Sequence, residues 1–249
     1  QRQMCIRDSL NRDDVDVNIQ QNKRATALML AIFNHQPEIA TKILDKDGMD
    51  VNLQDKSGYT ALMSAIRNNQ PEIAKKILKI PTINVKLKGN NGNTALMEAI
   101  LNNQTEIAKQ ILNRDDGGVN IKNQYSATAL IYAIINNQPE IAMKILDKDG
   151  VDINIKYEGG VTALMLAIIN NQPEIAKQIL DKDGVDINTQ QNEGYTALMV
   201  AIIKKQPEIA KKILYKDDVD INIQDKVGNT ALILAIDRNQ PEIAKQILD

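Results

Sequence analysis

The residues of this chain that could bind a metal ion lie in a recurring acidic motif. The tetrapeptide Asp-Lys-Asp-Gly occurs at residues 45–48, 147–150 and 181–184. A calcium loop of the helix–loop–helix type needs oxygen ligands on both sides of a central glycine and ends on a bidentate glutamate. Aligning Gly48 with that glycine places Ile43 and Gln54 at ligand positions that need carboxylates. The motif therefore predicts a turn with a left-handed glycine, and we expect no metal site.

The residue types that catalysis requires are scarce. His35 is the only histidine, so neither a histidine-based zinc site nor a catalytic triad can be assembled. Cys5 is the only cysteine, which excludes an intramolecular disulfide. The glycines fall in turns and form no phosphate-binding loop. We predict no catalytic residues, no cofactor and no enzymatic activity.

The charge balance argues against nucleic-acid and membrane partners. The chain has 30 basic and 32 acidic residues, and lysines such as Lys75 and Lys211 are interleaved with acids. Nucleic-acid binding usually needs a clustered basic excess. No apolar run approaches the roughly 18 residues of a membrane span, and no signal-peptide pattern opens the chain. We expect an intracellular location, with the cytoplasm favoured.

An internal repeat dominates the sequence. The tripeptide Thr-Ala-Leu begins at residues 26, 60, 94, 128, 162, 196 and 230, always 34 residues apart. A unit of this length cannot bury its apolar face alone, so neighbouring copies must stack. The repeat predicts an all-α solenoid, a fold that exposes long surfaces and seldom forms deep catalytic pockets.

Each unit reads as two helices joined by a tight turn. In the second copy, Thr60 is a suitable N-cap for a helix that carries Ile66 on its apolar face. Asn69 tolerates the left-handed conformation found after a helix. Pro71 suits the first position of a second helix. Glu72 follows it, where the positive N-terminal end of the helix stabilises its negative charge.

A short alternating segment precedes each threonine. Residues 83–87, Ile-Asn-Val-Lys-Leu, lie in a stretch rich in Gly, Asn and Pro. Alternation bounded by turn residues is typical of an extended hairpin. Each unit is therefore predicted to be helix, turn, helix and extended finger.

This pattern resembles the ankyrin repeat. The matching elements are Thr-x-Leu at the first helix, Glu-Ile at the second, Gly-x-Asp-Val/Ile-Asn before the finger, and Gly-x-Thr as at residues 58–60. The family's Pro after Thr is Ala here, its His after Leu is Met or Ile, and its inter-helix Gly is mostly Asn. The resemblance implies an ankyrin-like stack. Because the missing His removes a hydrogen-bonding group, we expect apolar packing to carry more of the contact between repeats.

The predicted organisation has two parts. Residues 1–9 do not fit the repeat, and we interpret them as extraneous. Residues 10–249 form an array of about seven units, with helix pairs at residues 26–44, 60–78, 94–112, 128–146, 162–180, 196–214 and 230–248. No polar capping unit is visible at the end, which predicts a fragment of a longer array that self-associates end to end.

The positions that differ between copies are the candidate binding surface. Positions four and seven after each threonine share a helix face, and in ankyrin-like stacks this face lines the concave groove with the finger residues. The candidate partner-binding residues are Phe33, Tyr59, Arg67, Leu101, Tyr132, Ile135, Ile169, Tyr195, Ile203 and Lys204.

Two features support this choice, and each has an alternative interpretation. All seven aromatic residues occupy positions that vary between copies, and tyrosine is enriched at interface hot spots. The finger tyrosines could equally pack against the adjacent finger. Leu101, Ile135, Ile169 and Ile203 would form an apolar stripe, unless neighbouring first-helix residues cover them.

The predicted function is a non-catalytic scaffold. Its concave groove and finger tips would bind a protein or peptide whose identity the sequence does not encode. Two alternatives remain open: a recognition module of a larger effector whose activity lies outside this stretch, or a structural spacer.

Overall fold

The first helix of every repeat starts at the threonine. The computed structural model describes residues 15–114 and 117–249. In all seven copies the threonine hydroxyl accepts a hydrogen bond from the backbone N–H three residues later, at 3.3–3.4 Å. The first helices of repeats one to seven are Ala27–Phe33, Ala61–Arg67, Ala95–Leu101, Ala129–Ile135, Ala163–Ile169, Ala197–Ile203 and Ala231–Asp237.

A left-handed residue ends the turn between the two helices. His35, Lys205 and the asparagines of the other copies have φ between +50° and +54° at this position. Asparagine visits this conformation readily because its short polar side chain bonds locally. The second helices are Pro37–Leu44, Pro71–Leu78, Thr105–Leu112, Pro139–Leu146, Pro173–Leu180, Pro207–Leu214 and Pro241–Leu248.

The helices form two layers. First helices pack on first helices of adjacent repeats, second helices pack on second helices, and the two helices of each repeat pack on each other. One continuous apolar core runs between the layers, made of the invariant Ala, Leu and Ile positions. The described residues thus form an all-α repeat solenoid, as the 34-residue repeat predicts.

A ladder of glutamines joins successive repeats, in addition to the apolar packing between them. From the second repeat on, the glutamine before the second helix donates through Nε2 to a first-helix carbonyl of the preceding repeat. In five of these bonds, from Gln104 to Gln240, the distance is 2.6–2.9 Å. Four glutamines also donate to the left-handed asparagine of that repeat, as Gln138 does to Asn103 at 2.7 Å. The glutamines therefore restore polar links between repeats.

The fingers are linked by a second ladder, made by the Asp-Val/Ile-Asn motif. Asn154 donates from Nδ2 to the Gly184 carbonyl at 2.7 Å, and its Oδ1 accepts from the Asp186 N–H at 2.8 Å. The Asp152 carboxylate accepts a hydrogen bond from the Asn154 backbone N–H at 3.0 Å and so helps to fix the position of Asn154. The same contacts recur at Asn18, Asn52 and Asn188.

The fingers close as hairpins through tight turns; in the second repeat, for example, the Asp55 N–H donates to the Tyr59 carbonyl at 3.0 Å. Within residues 15–114 and 117–249, the only β-type pairing is an isolated antiparallel bridge between Gln20 and Thr26. The apolar residues that suggested a strand, such as Ile83 and Val85, point into the core from consecutive tight turns. Burial of alternate residues thus arises without a β ladder.

The proposed extraneous stretch, residues 1–9, lies outside the described residues. The division of the chain at residue 10 therefore stays a prediction.

Candidate functional site

One row of side chains runs along the first helices. The groove row is the position seven residues after each threonine, and it consists of Phe33, Arg67, Leu101, Ile135, Ile169, Ile203 and Asp237. First helices stack directly, so equivalent residues follow one another along the array. Arg67 lies over the Tyr59 ring at 4.6 Å from its centroid. In the second repeat, the groove-row residue and the finger residue before the threonine are therefore in contact.

The aliphatic part of the row is open to solvent. Leu101 is 38% exposed, Ile135 41% and Ile169 39%, and Ile203 is half-buried. More than half of the surface of each of these residues is covered, and the rest faces solvent. Ile135 and Ile169, in the fourth and fifth repeats, therefore extend the exposed surface that begins at Leu101, and Ile203 adds a partly covered side chain in the sixth.

Residues four positions after the threonine lie deeper than the groove row. Val200 and Leu234 are buried, and Ser64 and Leu166 are half-buried. This position therefore forms the floor of the groove, with the groove row along its wall. Glu98 is the only charged residue at this position, and it is only 1% exposed.

Glu98 lies in a polar cluster formed by the second and third repeats. Its Oε2 accepts from Arg67 at 3.1 Å, and its Oε1 accepts from Asn93 Nδ2 at 3.0 Å. The Arg67 side chain remains about half exposed, and Tyr59 stacks beneath its guanidinium. A buried carboxylate needs such partners, because burial without them is costly. The structure thus brings together two predicted residues, Tyr59 and Arg67.

The cluster continues into the fourth repeat. Asn123 Nδ2 donates to Asn93 Oδ1 at 2.8 Å and to the Tyr132 hydroxyl at 2.7 Å. A chain of hydrogen bonds therefore runs from Arg67 through Glu98 to Tyr132. It fixes the ring of Tyr132, whose side chain is half-buried on the groove floor.

The pKa values of these tyrosines are shifted upward. Burial, followed by the negative charge of Glu98, raises the pKa of Tyr59, although the Arg67 charge opposes the shift. Burial also raises the pKa of Tyr132, while its hydrogen bond from Asn123 lowers it. Both hydroxyls therefore stay protonated near neutral pH and can donate hydrogen bonds.

The remaining predicted residues lie away from this cluster. Phe33 is 68% exposed in the first repeat. In the sixth repeat Tyr195 is half-buried against the core and Lys204 is exposed. The interpretation of the tyrosines as surface groups is thus only partly correct: Tyr125 and Tyr215 are exposed, whereas Tyr59, Tyr132, Tyr157 and Tyr195 pack against the core.

The candidate set missed Glu98, Asn93 and Asn123. A sequence signal existed for Glu98, since it is the only charged residue among the seven copies of its position. The two asparagines carry no such signal, because asparagine is common in the fingers of this chain.

No constellation for metal binding is found in the described part of the chain, where no three His, Cys, Asp or Glu side chains come together. His35 lies in a shallow cleft between the first two repeats, with Pro37, Gln70 and Pro71. Its Nδ1 lies 3.3 Å from Gln70 Nε2, so its ring joins the contact that asparagine makes elsewhere.

Comparison with known proteins agrees with the stacked helix pairs and the fingers. A family model described as ankyrin repeats (3 copies) matches residues 4–88, 80–157 and 164–249. The chain belongs to the ankyrin repeat family. Ankyrin repeats generally serve as protein–protein interaction modules and are typically non-catalytic. No curated protein sequence matches the chain.

Two solved ankyrin structures illustrate the likeness. EF0377, an ankyrin repeat protein, is 28% identical over 81% of this chain and 98% of its own, with a TM-score of 0.64. The ankyrin repeat domain of Bcl-3, a member of the IkappaB protein family, is 17% identical over 90% of this chain and 99% of its own, with a TM-score of 0.70. At that identity the second likeness shows the fold alone.

Of the helices within residues 15–114 and 117–249, none has the length and apolar character needed to cross a bilayer.

Proposed function

We propose that this ankyrin array binds a protein or peptide partner along its groove row and finger residues, without a covalent step. The observation that carries the proposal is the exposed aliphatic series Leu101, Ile135 and Ile169. Contiguous apolar surface of this kind marks interaction sites in proteins that otherwise hide such groups. The partner's apolar side chains would lie on these residues.

The construction of the groove favours recognition by a rigid surface. Threonine caps, glutamine links and finger asparagines hold every repeat to the next. Stacked helices lie about 8–10 Å apart, so seven repeats offer roughly 60–70 Å of groove. A preorganised surface of that length loses little conformational entropy on binding.

The polar cluster and the aromatic residues would supply specificity. Arg67 is held by Tyr59 and Glu98 yet retains exposed N–H groups. Phe33 and Lys204 extend the proposed surface into the first and sixth repeats, and Tyr195 borders it from a finger. Such anchors, with few torsions to freeze, are the residues that dominate interface energetics.

The test replaces the two central aliphatic residues. Ile135→Asp combined with Ile169→Asp should reduce partner binding at least about 100-fold, since each change buries a carboxylate against apolar surface. Partners are captured from the source cell by crosslinking, and each binding constant is then measured with the purified partner. Helical circular dichroism should remain that of the wild type, because both side chains are exposed.

A matched control is Tyr215→Asp, which places the same charge on an exposed aromatic residue after a second helix. Binding of the partner should be unaffected by this change. Equal binding by the wild type and the double aspartate variant would refute the groove assignment.

A further inference from the structure

The groove row changes from charged to aliphatic between the second and third repeats. Arg67 is the only basic residue among the seven copies of its position, and Leu101 follows it in the next repeat. First helices of adjacent repeats pack directly on each other, so the two side chains are neighbours along the groove. The Arg67 side chain is 46% exposed and Leu101 is 38% exposed. A partner that covers the aliphatic residues therefore also meets a guanidinium group.

The carboxylate that pairs with Arg67 lies inside the protein. The Glu98 side chain is 2% exposed, whereas eight other ion pairs between described residues have carboxylates that are 64–78% exposed. Both Glu98 oxygens are occupied, Oε2 by Arg67 at 3.1 Å and Oε1 by Asn93 Nδ2 at 3.0 Å. Glu98 therefore holds the guanidinium from within the protein and is not itself accessible to a partner.

The guanidinium keeps hydrogen-bond donors for a ligand. Arginine has five N–H donors in a planar fork, and in the part of the chain that the structure describes the Arg67 side chain makes one hydrogen bond, to Glu98. Its Cζ lies over the Tyr59 ring at 4.6 Å from the centroid. That contact uses the charge of the guanidinium and no N–H donor. Arg67 is therefore fixed in position by two contacts, and most of its donors remain available.

A carboxylate is the group that fits these donors. Carboxylate oxygens match the two parallel N–H groups of a guanidinium. A phosphate fits less well, because Glu98 already compensates the single arginine charge, and phosphate groups carry more charge and are usually bound by several arginines. We propose that Arg67 binds the side-chain carboxylate of an aspartate or glutamate of the protein partner, next to an aliphatic contact of that partner with Leu101. This inference rests on the proposed groove function.

The experiment selects ligands from a pool of random linear peptides displayed on phage, using the whole chain as bait. The peptides are joined to the coat protein at their C-termini, so each carboxylate in the random segment belongs to a side chain. Recovered peptides should carry an aspartate or glutamate beside aliphatic residues. The most frequent peptide is then synthesised with an amidated C-terminus, and its affinity is measured by fluorescence anisotropy for the wild type and the variants.

The test variant removes the arginine without stranding its buried partner. Arg67→Gln combined with Glu98→Gln replaces the ion pair by two neutral side chains, and the amide oxygen at position 98 can still accept from Asn93. This double variant should bind the peptide about tenfold more weakly, because charge-assisted hydrogen bonds are lost. The matched control is Arg238→Gln, which removes an arginine of similar exposure, 47%, from the seventh repeat. This control should leave the affinity unchanged.

A peptide in which the acidic residue is replaced by its amide closes a double-mutant cycle. This amide peptide should bind the wild type about tenfold more weakly than the acidic peptide does. The double variant should bind both peptides equally. A peptide with phosphoserine in place of the acidic residue tests the competing ligand, and it should bind the wild type no more tightly than the acidic peptide.

Three results would count against the carboxylate site. Equal binding of the acidic and amide peptides by the wild type would overturn it, and so would tighter binding of the phosphoserine peptide. Selected peptides that lack acidic residues, yet lose binding with Ile135→Asp and Ile169→Asp, would overturn the carboxylate site and leave the groove function standing. Recovery of no groove-dependent peptide would overturn both.

Discussion

At the scale of single residues, Glu98 is the least expected feature of the groove. The other copies place Leu, Ser, Tyr or Val at this position, where a carboxylate is buried beneath Arg67. An apolar residue of similar volume often replaces a buried ion pair without loss of stability, whereas removing one partner strands a charge. The pair is therefore better explained by orienting Arg67 than by stabilising the repeat.

This interpretation predicts an asymmetry between two substitutions. Glu98→Leu, which copies Leu166, should leave the urea midpoint of unfolding unchanged or higher. Arg67→Ala should lower the free energy of unfolding by about 1–3 kcal/mol, because it leaves the Glu98 carboxylate with asparagine partners alone. Equal losses from both substitutions would show that the ion pair is primarily structural.

At the scale of elements, the glutamine before each second helix couples neighbouring helix pairs. Gln138 Nε2 donates to the Ile100 carbonyl at 2.7 Å, at the end of a first helix in the preceding repeat. This carbonyl also accepts from the Asn103 backbone N–H at 3.1 Å, so the glutamine supplies a further hydrogen bond at the C-terminus of the helix. The link therefore joins the end of one repeat to the start of the next second helix.

Removal of this link should be measurable. Gln138→Ala is expected to lower the free energy of unfolding by about 1–2 kcal/mol, since it removes two hydrogen bonds to the preceding repeat, one to the Ile100 carbonyl and one to Asn103. Gln178→Ala serves as the control, because its bond to Asp147 is exposed, and it should cost less than about 0.5 kcal/mol. If the two variants unfold at the same urea concentration, the hydrogen bonds of the glutamine ladder add no more stability than an exposed side-chain hydrogen bond.

At the scale of the whole molecule, the same residue type has different burial along the array. Ile134 of the fourth repeat is 0% exposed, whereas Ile236, its equivalent in the seventh, is 65% exposed. Ile134 packs between neighbours on both sides, and in a solenoid stability is the sum of repeat and interface terms. The loss in free energy of unfolding caused by a substitution should therefore depend on the repeat in which the substitution is made.

Two matched substitutions test this dependence. Ile134→Ala should destabilise the protein by about 2–5 kcal/mol and broaden urea unfolding, because a central cavity uncouples the two halves. Ile236→Ala should cost less than about 0.5 kcal/mol and leave the transition unchanged. Similar losses in both variants would indicate uniform cooperativity along the array.

Exposure of Ile236 and its neighbours also bears on association. Ile233 and Leu248 are exposed on the same terminal repeat. The end-to-end association predicted from the sequence stays a prediction, and size-exclusion chromatography across concentrations of the 249-residue chain measures it.

Much of this architecture is encoded locally and repeats with the sequence. The threonine caps, the left-handed asparagines, the prolines at second helices and the apolar faces each depend on residues within one turn of helix. Seven copies in one register make such local rules unambiguous, and stacking then follows from apolar faces that no single repeat can bury. The ankyrin fold and the row of variable positions were accessible from the sequence for this reason.

The tertiary structure decided the contacts between residues 30 to 38 positions apart. The glutamine ladder, the finger asparagines and the pairing of Arg67 with Glu98 all cross from one repeat to the next. Their geometry depends on how neighbouring units are rotated and spaced, which local propensity does not specify. Whether a varied side chain lies open, like Ile135, or buried in a polar cluster, like Glu98, was settled by that packing alone.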